Sequence, residues 1–112
     1  MAVTTTTRPR VRRDPFEDLV IADAFDRTTV EQAEWLRADA NLERFADALR
    51  TLVTRLDGQL AADNARARAG GNTDRDWRRR TIVLRHRLIV RLREITPAVK
   101  AHRRAKYRGD HR

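Results

Sequence analysis

The sequence has no cysteine and no serine, and holds only two lysines, four glycines and three prolines. Without cysteine there is no disulfide framework, thiolate metal site or thiol nucleophile, and a reducing, cytoplasmic setting suits the chain. Without serine the commonest hydroxyl nucleophile is gone. Neither a glycine-rich phosphate loop nor a His and Glu pairing at metal-ligand spacing takes its place. Apolar runs are a few residues long and broken by Asp or Arg, too short to span a bilayer or form a signal-peptide core. His86, His102 and His111 are scattered among cations, which disfavours a bound metal ion. The expectation is a soluble, non-enzymatic protein with no cofactor and no small-molecule substrate.

Hydrophobic residues make up 40% of the chain and charged residues 37%. With so little Gly and Pro, that balance suits amphipathic helices better than a sandwich or disorder. A length of 112 residues allows one core and no deep cleft between domains.

What is abundant is arginine. The net charge is +9, with Lys100 and Lys106 the only lysines. Arginine offers a planar, permanently charged fork for phosphate or carboxylate, although GC-rich codon usage in a bacterium or phage enriches it as well. The charge is segregated: residues 1–13 carry +4, residues 14–65 carry −7, and residues 66–112 carry +12. Opposite halves of this kind can neutralise each other across a hairpin, and a cationic surplus still survives.

Met1 to Arg13 has no apolar periodicity and reads as a disordered basic arm. Asp14-Pro15-Phe16-Glu17 is a helix start, a capping Asp followed by first-turn Pro, for a short helix over about 15–26 whose Phe16, Leu19, Val20 and Phe25 form a sticky face. Thr28 with Glu31 offers a second capping box for a long helix over about 29–69. Its apolar positions are Trp35, Ala38, Leu42, Phe45, Leu49, Leu52, Leu56 and Leu60, in coiled-coil-like three-four spacing. Gly58 lies inside that run and suggests close approach of another helix, whereas Gly70-Gly71-Asn72 ends it. Asn72 or Thr73 can cap a third helix over about 73–95, and Thr96-Pro97 reads as a kink that starts a last one over about 97–107. Residues 109–112 are left as a tail.

Residues 81–93 also alternate with period two, as a strand would, but no other segment offers a pairing partner. As a helix, Leu84, Leu88, Leu92 and Ile95 form a seam, while Ile82 with Ile89 and Val83 with Val90 repeat on other faces. The expected fold is therefore all-α: a long antiparallel helical hairpin with a short N-terminal helix and a Pro-kinked C-terminal helix, one domain over 14–108. Doubling back at the glycines pairs residues whose numbers sum to about 142. This sets Leu60 against Ile82, Val53 against Ile89, Leu42 against Val99 and Trp35 near Tyr107, and brings Asp39 and Glu43 to Lys100, Arg103 and Arg104.

The functional signal is the basic constellation Arg78, Arg79, Arg80, Arg85, Arg87, Arg91 and Arg93, continued by Lys100, Arg103, Arg104, Lys106 and Arg108. Such cations neutralise phosphates without reading sequence, so nucleic acid bound non-specifically is the expected partner. Trp77 and Tyr107 bracket the stretch and read as plugs at the hairpin ends, although aromatics there can also stack on unpaired bases. The alternative is a helical protein-interaction module that pairs with an acidic protein surface, or self-associates as a homodimer through its two-faced third helix. Binding at an anionic membrane surface fits less well, because the arginines do not keep to one clean polar face.

Overall fold

A computed structural model describes residues 14–110, with side chains to 108. The basic arm expected over 1–13 and the end of the tail lie outside the described residues. Four helices follow in order: α1 (Pro15–Ala24), α2 (Val30–Arg37), α3 (Leu42–Arg68) and α4 (Arg75–Asp110), with no strand among the described residues. The fold is an all-α helical hairpin of α3 and α4, with α1 and α2 laid against it. Residues 81–93 are helical throughout, so their period-two alternation reflects two helix faces.

The chain turns where its sequence can satisfy helix ends. At the hairpin tip Gly70 takes φ +83. The Gly70 amide donates to Ala67 O at 3.1 Å and the Gly71 amide to Arg66 O at 2.8 Å, the paired bonds that close a helix C-terminus. A Cβ on Gly71 would sit 3.0 Å from that same Arg66 oxygen. α1 ends with the same pair of bonds, Asp26 N to Asp23 O at 2.9 Å and Arg27 N to Ala22 O at 2.9 Å. Here the left-handed residue is Asp26, φ 57, rather than glycine.

Two expected caps move. The box at the start of α2 is Thr29 with Gln32, reciprocal bonds of 3.1 and 3.0 Å, because Thr28 is taken up by the connection leaving α1. α4 is capped by Asp74, whose carboxylate accepts from the Trp77 amide at 3.0 Å, in place of Asn72 or Thr73.

Two expected helix boundaries also change. The single helix over 29–69 is two, broken where Ala38 becomes extended at ψ 149. Asn41 Nδ2 donates to Trp35 O at 2.8 Å and so satisfies a carbonyl that the break exposes. The break lets α2 fold back on α1: Leu36 is fully buried, and Trp35 stands edge-on to Phe16 at 6.0 Å instead of reaching Tyr107. Conversely, no new helix starts at Pro97, because α4 runs through it. Pro97 is exposed, so its ring and missing amide fall on the solvent side, away from the packed seam.

The core joins Phe16, Val20 and Ala24 of α1 and Leu36 of α2 to Phe45, Leu49, Leu52 and Leu56 of α3 and Leu88, Ile95 and Val99 of α4. Leu84 and Leu92 pack at its margin, as the seam requires. Gly58 faces solvent with nothing within 4 Å of a Cβ placed there, so it does not admit another helix. Gly58→Ala is therefore expected to stabilise the fold by about 0.5–1 kcal/mol through helix propensity, read as a raised urea midpoint. A lowered midpoint would reveal a contact at that position.

Candidate nucleic-acid interface

The twelve cations expected to form a binding surface separate into two groups. Five meet carboxylates of the same chain. Arg78 reaches Asp63 at 2.9 Å, Arg103 reaches Glu43 at 2.9 Å, Arg85 bonds Asp57, and Arg87 lies 4.0 Å from Asp26. Arg91 is the most deeply engaged, 2.9 Å from Asp23, 2.6 Å from Glu94 and bonded to Asp26. Near the hairpin tip these pairs keep the expected register, since 57 with 85 and 63 with 78 sum to 142 and 141; farther out 43 with 103 sums to 146, and Ile82, expected against Leu60, is 48% exposed.

Two of the carboxylates are buried. The Asp23 side chain is 3% exposed and sits between Arg37 at 2.8 Å and Arg91, so one charge ties α1, α2 and α4 together. Arg91 Nε makes no hydrogen bond despite its 2.9 Å approach, so that contact is Coulombic, whereas Arg91 Nη2 donates to Asp23 O at 2.8 Å. Burial acts to lower the Arg91 pKa but is outweighed by the hydrogen bond to Asp26 and the charges of Asp23 and Glu94, leaving it above the ordinary arginine value. Asp63, 2% exposed, is held the same way by Arg78 and by Arg66 at 3.4 Å.

Sequence reasoning missed both acids, yet a signal existed. Asp23 continues the spacing of Phe16 and Val20, and Asp63 lies seven residues beyond Leu56, so each occupies a seam position.

Glu43 carries the last cross-arm ion pair. The hydrogen bond from Arg103 holds its pKa below the usual carboxylate value; slight desolvation opposes this, and the charges of Lys106, Arg103 and His102 add to it. A lowered folded-state pKa stabilises the fold at neutral pH, and that contribution disappears as pH falls through the folded value. Glu43→Gln should therefore be less stable than the parent at neutral pH, with the gap closing below about pH 4 in denaturation midpoints. An equal gap at both pH values would rule out this ion pair as its source. Two neighbouring acids, Asp39, expected here, and Asp47, behave differently. Asp39 lies 3.7 Å from His102, and Asp47 pairs within its own helix with Arg50 at 2.8 Å.

The remaining seven cations, Arg79, Arg80, Arg93, Lys100, Arg104, Lys106 and Arg108, are exposed and have no carboxylate partner among the described residues. Helical arithmetic accounts for most of the division. Arg78, Arg85, Leu92 and Val99 form one seven-residue row that runs into the core, whereas the adjacent row Arg79, His86, Arg93 and Lys100 faces solvent opposite Leu88 and Ile95. Unpaired Arg80 shares a row with paired Arg87, and Lys106 lies on the core side of α4 beyond Val99, the last buried residue, so neither joins the outward row. Arg104 and Arg108 extend the outward row, and Arg75, which sequence reasoning left out, begins it. From Arg75 to Arg108 the row spans about 50 Å at 1.5 Å per residue. The acids Asp76 and Glu94 lie on its flank, outside the row. Ile82 and Val83 stand beside it, 48% and 46% exposed.

Comparison with protein-family models, curated proteins and solved structures finds no match. Fold and surface together define an all-α hairpin protein with one cationic outer helix face. Among the described residues no group of His, Asp and Glu could hold a metal ion, and no helix is long and apolar enough to cross a membrane.

Proposed function

We propose that this chain binds the sugar-phosphate backbone of nucleic acid, without sequence readout, through the outward row of α4. The observation that carries this reading is the row itself: six permanent cations, Arg75, Arg79, Arg93, Lys100, Arg104 and Arg108, on one helix face and none paired among the described residues. The internal ion pairs fix the helix that displays them, so little ordering is left for the binding step. Six phosphate contacts give a slope of log affinity against log salt of roughly −5 for duplex and roughly −4 for single strands. A salt titration with random-sequence oligonucleotides measures it. Absence of binding at low salt, or affinity indifferent to salt, overturns the proposal.

A second reading, a protein-interaction module, is favoured by exposed Ile82 and Val83, which phosphate contacts do not use. A second copy of this chain docked there would set the same cationic rows against each other, so an acidic protein surface fits the patch better.

A further inference from the structure

The C-terminal end of α4 outruns the hairpin. Its last buried residue is Val99, its last ion pair to α3 is Arg103 with Glu43, and α3 begins at Leu42. Residues 103–108 are all exposed, so more than a turn of helix extends without core contact. Ala105, Arg104 and Lys106 are good helix formers, which accounts for the helix without any packing. It does not account for Tyr107, the only tyrosine in the chain, which is 66% exposed. Trp77, at the other end, is half-buried. Tyr107 is therefore no plug.

Its surroundings are cationic and ordered by the helix. Arg104 precedes it by three residues and Lys100 by seven, so both share its side of α4. On its other flank, Tyr107 lines a groove with Lys106, Arg103 and Glu43. The carboxylate of Glu43, ionised and bonded to Arg103, makes that groove a poor seat for phosphate. Phosphates are directed to Lys100 and Arg104, and the ring is left for an uncharged planar group.

We infer that this overhang is a stacking site for an unpaired base: the Tyr107 ring takes the base while Lys100 and Arg104 neutralise the adjoining phosphates. The inference rests on the nucleic-acid reading above and adds a preference for single strands at this end of the row. A duplex offers only backbone charge to an exposed ring, whereas an unpaired base offers a π-face worth about 1–3 kcal/mol by alanine substitution.

The test compares three probes at one salt concentration: a poly-dT strand of about 15 to 20 nucleotides, a base-free deoxyribose-phosphate strand of equal length, and a duplex. The parent chain is expected to prefer poly-dT to the base-free strand by about 5- to 150-fold. Tyr107→Ala should erase that preference while leaving base-free and duplex binding unchanged, and Tyr107→Phe should retain it. Because the ring is exposed, helical circular dichroism should be the same for all three proteins. Equal binding of poly-dT and the base-free strand by the parent, or a preference that survives Tyr107→Ala, overturns the stacking site and leaves the backbone reading intact. Failure of all three probes overturns the backbone reading, and this site with it.

Discussion

Asp23→Ala is expected to destabilise the fold by roughly 3 kcal/mol, the cost of leaving Arg37 without its carboxylate and Arg91 with only the more exposed Asp26 and Glu94. Asp23 is 3% exposed, and the arginines it holds are 14% exposed for Arg91 and 35% for Arg37, so solvent recovers part of the loss on the Arg37 side only. The substitution also releases both elements that lie against the hairpin, because the same carboxylate joins α1 to α2 and to α4. For a domain near this size such a loss lowers the thermal midpoint by roughly 10–20 °C. Asp47→Ala is the control: its partner Arg50 is 44% exposed and the acid 69% exposed, so at most about 0.5 kcal/mol should be lost. Similar midpoints for the two variants would show that the three-helix clasp does not hold the fold.

Reversing the outward row has the opposite signature. Arg79→Glu, Arg93→Glu, Lys100→Glu and Arg104→Glu in one chain should leave the denaturation midpoint nearly unchanged, since all four are exposed and none is paired among the described residues. Affinity for nucleic acid at low salt should fall by about a thousandfold or more, and the salt slope should flatten toward zero. Substituting Arg85 and Arg91 instead should cost stability before it costs affinity, because those guanidinium groups are paired with Asp57 and with Asp23, Asp26 and Glu94. If the row variant binds as tightly as the parent, the surface is not the binding face.

Sequence alone disclosed the hairpin because its signals are local or periodic: paired glycines that permit a left-handed residue, and leucine seams repeating every three or four positions on both arms. It also disclosed the register near the tip, which follows from where the turn falls. The break at Ala38–Asn41 was not legible, since Trp35, Ala38 and Leu42 keep the helical spacing across it. The chain leaves the helix there for a tertiary reason, the docking of Leu36 and Arg37 onto α1. Pro97 misled in the other direction, because a proline whose ring and missing amide face solvent need not end a helix whose opposite face is packed. Within the basic constellation, charge counting could not say which arginines face inward. The seven-residue rows could have done so: Arg85 precedes the seam residue Leu92 by seven, and Arg91 follows Leu84 by seven.

α4 is one unbroken helix of 36 residues. The groups along it therefore keep nearly fixed separations. A duplex lying along the whole row would be covered over about 15 base pairs, from roughly 50 Å at 3.4 Å per pair. On the proposed reading, fragments much shorter than this would engage only some of the charges, and affinity should rise with duplex length up to about 15 base pairs.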